Sequence, residues 1–442
     1  MVTAPPAGTP AATGSDARPG PASSPDALLT AAREAFAAAP PIGADAYHRY
    51  ARELAARLTA DWPALTRANR RDIERAERAG MPPVLVDRLR LTDDHLPRLT
   101  ALADRAGHEL AALTAADTGR PAGAWGTLRR VPRPLGVVLM VYEARPTVTV
   151  DGALLPVLAG NAVLLRGGKE MADTDAALAA TAHAALRAAG LPTGLVTVLH
   201  DPRRALLRAL LQRPDAIDVL IPRGSPSLIA HCRDAGRIPL IASGGGVNHL
   251  YVHASADLPL AATVTLDSKL PEPAGCTSVE LVLADRSVAT AYTAELLRQA
   301  ERRGARFTVR LDPSVAPPAG GDPDRIAPLA EHDIGREFLD PVVGVLAVDG
   351  PGQAIAHIRR HGSGHTEGVL ATDPDVAAGF TRAVDAAAVI VNGSLRLHDG
   401  PKLGLGTELA IATGRLHVRG PVTLGSLMTS GWVVEANGEL RG

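Results

Sequence analysis

Between Pro134 and Ala242 the chain alternates short β-branched runs with stretches patterned at helical spacing, and that rhythm leaves few folds open. The runs GVVLMVY, AVLLR, LVTVL, AIDVLI and IPLIA are separated by helical patterns that start at Asp151, Thr174, Arg203 and Ser225. Near-continuous apolar strands must be covered on both faces, and strand–helix–strand crossovers make neighbouring strands parallel. A second series of the same kind runs from Asn248 to Asn392 through HLYVH, VELVLA, FTVRL, VVGVLAV and AAVIVN. The expected fold class is α/β, with two doubly wound parallel sheets.

Ala27 to about Leu113 reads as helical, and LMTSGWVVEA near the C-terminus reads as a last strand with no helix after it. Met1 to Pro25 is mostly Ala, Pro, Gly, Thr and Ser and is expected to be a disordered leader. A chain of 442 residues exceeds one compact core. Its 46 basic and 47 acidic side chains show no long single-sign block, so neither nucleic acid nor an anionic membrane is an expected partner. That leaves a small molecule. No apolar run is long enough to span a bilayer, and the start lacks a secretory pattern. Two cysteines without metal spacing give no disulfide framework and no expected metal site, and a cytoplasmic location follows.

The cysteines differ in context. Cys232 lies inside the helical pattern LIAHCRDAG and reads as a packed side chain, whereas Cys276 sits in LPEPAGCTS, a turn between a helical and a strand-like run. A thiol at such a turn is placed to act as a nucleophile. Two turns, LLRGGKE and IPRGSPS, set glycine beside a cation just before a helix. Each is either a phosphate contact or a tight connection, and neither is a G-x-G-x-x-G fingerprint. The cluster Ser243-Gly244-Gly245-Gly246 is either a face for a planar ring or a hinge.

Read together, RPLGVVLMVYEARPTVTVD, AGNAVLLRGGKE, DVLIPRGS, HGSGHTEGVL, AAVIVNGS and LGLGTELAIATGRLHVRGP resemble the γ-glutamyl phosphate reductases, a branch of the aldehyde dehydrogenase superfamily, from Asp26 to Arg441. The resemblance implies an aldehyde-dehydrogenase-like fold: a cofactor-binding domain from 26–115 and 133–243, a catalytic domain at 244–414, and an oligomerisation arm from 116–132 and 415–442. It also implies NADPH-dependent reduction of L-glutamyl 5-phosphate to glutamate 5-semialdehyde through a thioester on Cys276, as in proline biosynthesis. By the same resemblance, Glu143, Arg145, Thr147, Asn248, Thr277, His365, Asn392 and Ser394 belong to the oxyanion or substrate site. Arg166, Gly168, Lys169, Arg223, Gly224, Ser225, Gly244, Gly245 and Glu408 belong to the cofactor site. A homodimer or homotetramer and a partner amino-acid kinase are implied too.

The departures gather on the substrate side. Where the family reads close to N-A-K-T-Q-R-P-x-x-C-N, this chain has Asp267, Glu272 and Thr277 in place of Asn, Arg and Asn. Exchanging a cation for an anion there disfavours a doubly charged substrate by on the order of 1 kcal/mol. PLIASGGG carries no carboxylate to activate a deacylating water, which suits a reductase. His365 is either a ligand of substrate phosphate or carboxylate or a structural hydrogen-bonding group, and Glu408 either orients the cofactor or caps a turn. Two alternatives stand beside the leading function: a paralogue reducing another acyl phosphate or a carrier thioester, and a catalytically silent nucleotide-binding regulator.

Overall fold

Ser24, in extended conformation, accepts the N–H of Ala27, and Pro25 takes the first helical position, so α1 (Pro25–Ala38) begins with a capped end. The computed structural model describes residues 24–115, 119–121, 126–319, 322–436, 438 and 440. The expected leader therefore lies outside the described residues up to position 23, and its last two residues are the helix start. In α2 (Asp45–Arg78), Tyr47, Tyr50, Leu54, Leu58, Leu65 and Ile73 are buried at helical spacing along one face. α3 (Pro83–Leu89) and α4 (His95–Leu113) complete the helical portion.

β1 (Arg120–Pro121) and β2 (Thr127–Pro134) lead into the first α/β series. That series is β3 (Val137–Tyr142), α5 (Pro146–Leu158), β4 (Ala162–Arg166), α6 (Ala172–Ala189), β5 (Val196–Val198), α7 (Arg204–Leu211), β6 (Val219–Arg223) and α8 (Pro226–Ala235). Its strands pair in parallel in the order β5-β4-β3-β6. Two expectations are corrected here. The helix expected from Asp151 starts at Pro146, because proline at the first position fits a helix start and the β-branched Val148, Thr149 and Val150 are tolerated inside it. The strand expected at IPLIA shrinks to one bridge between Leu220 and Leu240, since Pro239 has no N–H to donate and glycines follow.

The second series is β7 (Asn248–Val252), α9 (Leu258–Lys269), β8 (Val279–Asp285), α10 (Ala289–Arg302), β9 (Thr308–Leu311), β10 (Ile326–Pro328), β11 (Val342–Val348), α11 (Pro351–His361), β12 (Thr366–Leu370), α12 (Pro374–Ala383) and β13 (Ala388–Val391). It forms a parallel sheet in the order β10-β9-β11-β8-β7-β12-β13. A short antiparallel ribbon of β14 (Ala410–Ala412) and β15 (Gly420–Val422) follows, then β16 (Met428–Glu435).

β16 pairs antiparallel with β2 from Met428 opposite Pro134 to Glu435 opposite Thr127. It is the outer strand of the β1-β2-β16 sheet, with Trp432 and Val434 exposed. Positions 116–118, 122–125, 437, 439 and 441–442 of the expected arm lie outside the described residues. Leu409, Ala410, Val422, Leu424 and Leu427 pack into the first core with β3 to β6. They were assigned by sequence partly to the catalytic domain and partly to the arm, but their apolar side chains find cover only where the chain returns to the first sheet.

Candidate active site

Cys276 lies in the link from α9 to β8, on a double turn. The Gly275 N–H donates to the Glu272 carbonyl at 2.9 Å and the Ser278 N–H to the Gly275 carbonyl at 3.0 Å. The N–H groups of Cys276 and Thr277 are left with no acceptor among the described residues, a pair of donors available to an oxyanion. The loop is clamped from below. Asn248 donates its amide to the carbonyls of Cys276 at 2.8 Å and Ser278 at 2.7 Å, while its oxygen accepts the Thr366 N–H at 3.1 Å. Gly246 passes so close that a Cβ there would stand 1.7 Å from the Cys276 carbonyl oxygen. Lys269, fully buried, reaches the Pro273 carbonyl at 3.4 Å and Glu280 at 2.9 Å.

The thiol of Cys276 is open to solvent, yet the cleft walls displace most of the surrounding water. Burial accordingly pushes its pKa up. Arg223 and then Arg145 pull it back, and Glu408 and Glu272 raise it further. Arg145 and Arg223 are both half-buried, and neither guanidinium has a hydrogen bond or ion pair among the described residues, although a cation drawn partly out of water without a partner is costly. Burial and then the neighbouring Arg145 push the Arg223 pKa down. Asp151, on α5, shares this field: burial lifts its carboxyl to about 7 against the pull of Arg223, Arg98 and Arg145. Glu408 is raised by burial and accepts the Gly400 N–H at 2.8 Å.

Arg166 and Arg223 end β4 and β6 at the carboxyl edge of the first sheet, where nucleotides bind in open α/β folds. Arg166 is half-buried and donates to the Pro202 carbonyl, Lys169 is exposed, and neither has an ion pair among the described residues. Beside them a Cβ on Gly168 would run into Glu170 at 1.8 Å. Two unpaired cations beside a glycine turn fit a phosphorylated nucleotide. The α8 end is different: Glu143 accepts the Ser225 N–H at 2.9 Å and lies where a Cβ on Gly224 would stand, 2.6 Å from its carboxylate. Ser225 spends its hydroxyl on the Leu228 N–H. Arg223, Gly224 and Ser225, expected together as cofactor contacts, are thus divided between the nucleophile and an internal cap.

A model of the aldehyde dehydrogenase family matches residues 22–315. The chain belongs to the aldehyde dehydrogenase family. It is therefore an oxidoreductase of a family that uses nicotinamide cofactors. Gamma-glutamyl phosphate reductase of Xanthomonas axonopodis pv. citri is 38% identical over 426 residues, covering 94% of this chain and 99% of that protein. The protein of the same name from Serratia marcescens is 39% identical over 86% of this chain and 91% of its own length. The solved gamma-glutamyl phosphate reductase of Thermotoga maritima superposes with a TM-score of 0.84 at 29% identity, covering 95% of this chain and 100% of that one. An acetylating aldehyde dehydrogenase of Geobacillus thermoglucosidasius shares the fold, with a TM-score of 0.69 at 19% identity over 95% of this chain and 97% of that one.

In this aldehyde dehydrogenase several expected substrate contacts have other work. Asn248 is fully buried, its amide nitrogen spent on the Cys276 and Ser278 carbonyls and its oxygen on the Thr366 N–H of β12, so its bonds go to positioning the Cys276 loop. Asn392 pairs with the peptide of Ala371 at the carboxyl end of β13, whereas Cys276 lies at the amino edge of the same sheet. Ser394 caps the turn after it by accepting from Arg396. His365 is completely buried, its Nδ1 on the Thr366 hydroxyl at 2.7 Å, and that hydroxyl meets His398 Nδ1 at 2.8 Å. Burial pushes its pKa down to about 3, so it is neutral near pH 7 and offers no charge to a phosphate. Thr147 lies in the first turn of α5, half-buried, its hydroxyl without a hydrogen bond among the described residues. Gly244 lies against Thr413, and Gly245 against Glu337.

The structure adds Asp151 and Arg88, which the sequence did not single out, and gives Gly246 of the glycine run a place against the nucleophile's loop, with Arg88 reaching the Ala274 carbonyl at 3.4 Å from α3. Glu337 accepts the Gly246 N–H at 2.9 Å. The glycine run thus has a carboxylate beside it after all, brought from a distant segment and held to the backbone. Spacing along the chain carries no signal for any of these.

Proposed function

We propose that the chain reduces L-glutamyl 5-phosphate to glutamate 5-semialdehyde with NADPH, through a thioester on Cys276, in proline biosynthesis. The observation that carries this reading is the exposed Cys276 in the field of two arginines, Arg145 and Arg223, that have no partner among the described residues. A neutral aldehyde needs no such pair, whereas the doubly charged phosphate of an acyl phosphate does. The relatives named gamma-glutamyl phosphate reductase support the same substrate.

The thiol gives up its proton under the field of Arg223 and Arg145, and sulfur attacks the acyl carbon. Negative charge on the carbonyl oxygen is met by the N–H groups of Cys276 and Thr277. The carbon–oxygen bond to phosphate breaks, inorganic phosphate leaves toward the arginines, and a thioester remains. Arg166 and Lys169 on one side and Glu408 on the other are the residues that would hold a nicotinamide cofactor, which when bound would supply the hydride that reduces this thioester. The resulting alkoxide collapses, the C–S bond breaks, and Cys276 is released as thiolate beside the aldehyde. Asn248 and Lys269 hold the loop still throughout. The enzyme acts as a homodimer or homotetramer in the cytoplasm, with a partner amino-acid kinase supplying the labile acyl phosphate.

The test follows NADPH formation in the reverse direction from glutamate 5-semialdehyde, phosphate and NADP⁺. Turnover that requires phosphate and vanishes in Cys276→Ala is expected. Absence of turnover with NADPH still binding would overturn the assignment.

A further inference from the structure

Two oppositely charged side chains stand at the mouth of the Cys276 cleft and do not pair. Arg88, half-buried, is committed to the Ala274 carbonyl at 3.4 Å and has no carboxylate within 4.0 Å among the described residues. Glu272, exposed, has no side-chain hydrogen bond or ion pair among the described residues, and it folds over the turn, where a Cβ on Gly275 would meet its Cδ at 3.1 Å. Each lies in the other's field, and Glu272 in that of the thiol. The other carboxylates that face Arg88 are occupied. Glu337 holds the Gly246 N–H and Glu143 the Ser225 N–H, which leaves Glu272 as the uncommitted anion. Of the cations, Arg145 and Arg223 flank the thiol itself and serve the phosphate.

A fixed cation held at Ala274 and a free anion beside Gly275, both on the turn that carries the nucleophile, are together complementary to a zwitterion. An acyl carbon bonded to Cys276 lies three carbon–carbon bonds from the head of a glutamyl group, roughly 4–5 Å when extended. Glu272 packs against Gly275, the residue just before the nucleophile, and so is within that reach. We propose that Arg88 and Glu272 are the specificity-determining pair of this site, recognising the α-carboxylate and α-ammonium of the acyl donor. The proposal rests on the acyl-phosphate reading. It also gives the charge reversal at Glu272 a use: the substrate ammonium neutralises that carboxylate, whereas an acyl donor without one brings only anions beside it.

The test uses the full chain in the NADPH-forming direction with phosphate and three aldehydes: glutamate 5-semialdehyde, 5-oxopentanoate, which lacks the ammonium, and 4-aminobutanal, which lacks the carboxylate. The first is expected to exceed each of the others in kcat/KM by about 10- to 100-fold, the effect of one charged hydrogen bond. Glu272→Gln should close the gap to 5-oxopentanoate while the gap to 4-aminobutanal remains, and Arg88→Met should do the converse. Glu272 is exposed, so that arm stands even if loss of the Arg88 bond to the loop unfolds its variant. Equal kcat/KM for glutamate 5-semialdehyde and 5-oxopentanoate in the parent, or a gap untouched by Glu272→Gln, overturns the site alone. No phosphate-dependent turnover with any of the three overturns the acyl-phosphate reading and the site with it.

Discussion

Gly246→Ala measures how tightly the nucleophile is held. The new Cβ would stand 1.7 Å from the Cys276 carbonyl oxygen, 2.6 Å from its carbon and 2.6 Å from the Asn248 amide nitrogen. Carbon and oxygen approach no closer than about 3.3 Å even in favourable contacts, so the loop must retreat by roughly 1.5 Å. Asn248 cannot yield, because its amide already bonds two carbonyls and one N–H. Overpacking of this kind costs about 1–3 kcal/mol, which a chain of this size survives. Catalysis does not survive it, since a displacement of about 1 Å at a reacting centre can cost roughly 100-fold. The assay is phosphate-dependent NADPH formation, with cofactor binding and the urea unfolding midpoint recorded on the same preparation. Gly244→Ala is the control: its Cβ would meet Thr413 at 3.3 Å, a contact a side chain can relieve. Gly246→Ala that folds and retains activity within about threefold of the parent would refute the reasoning, as would equal damage from both substitutions.

Arg223→Met removes the largest favourable field on the thiol, so the midpoint of Cys276 alkylation against pH should rise; an unchanged midpoint contradicts the electrostatic account. Lys269→Met strands Glu280, whose carboxyl burial already lifts to about 7, and should cost about 3–5 kcal/mol in urea unfolding, more at pH 8 than at pH 6 because the stranded acid protonates at the lower pH. Burial pushes His398 down to about 4, so below an unfolded value of about 6.5 the unfolded chain binds its proton first. Stability from this group is intact at pH 7 and declines as pH falls toward 4, and His398→Gln should show a smaller drop in unfolding midpoint between pH 7 and pH 5. Asp151 works in the opposite sense. Its folded value of about 7 holds a proton that the unfolded chain has lost, so its contribution fades as pH rises through 7, and Asp151→Asn should flatten that decline.

The alternation of strand and helix determined the two parallel sheets, because buried strands and their crossover helices impose that pattern on the chain locally. Cys276 was legible for a related reason: a turn bounded by a helix and a strand needs no distant partner to form. Its long motifs likewise sufficed to mark the family. Local pattern failed where pairing or proline chemistry decided the outcome, as at the helix that starts from Pro146 and the strand that Pro239 cuts to one bridge. It failed more broadly wherever a polar group's task depends on its neighbours. Asn248, Asn392 and Ser394 all have hydrogen-bonding side chains, and nothing in their spacing says that those bonds go to the protein's own backbone rather than to a ligand. The charge around the nucleophile was equally out of reach. Arg88, Asp151, Arg223, Glu337 and Glu408 come from far apart in the chain, and only the meeting of the carboxyl edge of one sheet with the amino edge of the other brings them to the site of Cys276, where Glu272 alone was in place from the local sequence. Electrostatic fields fall off with distance through space and take no account of distance along the sequence, so the tertiary structure alone could set them.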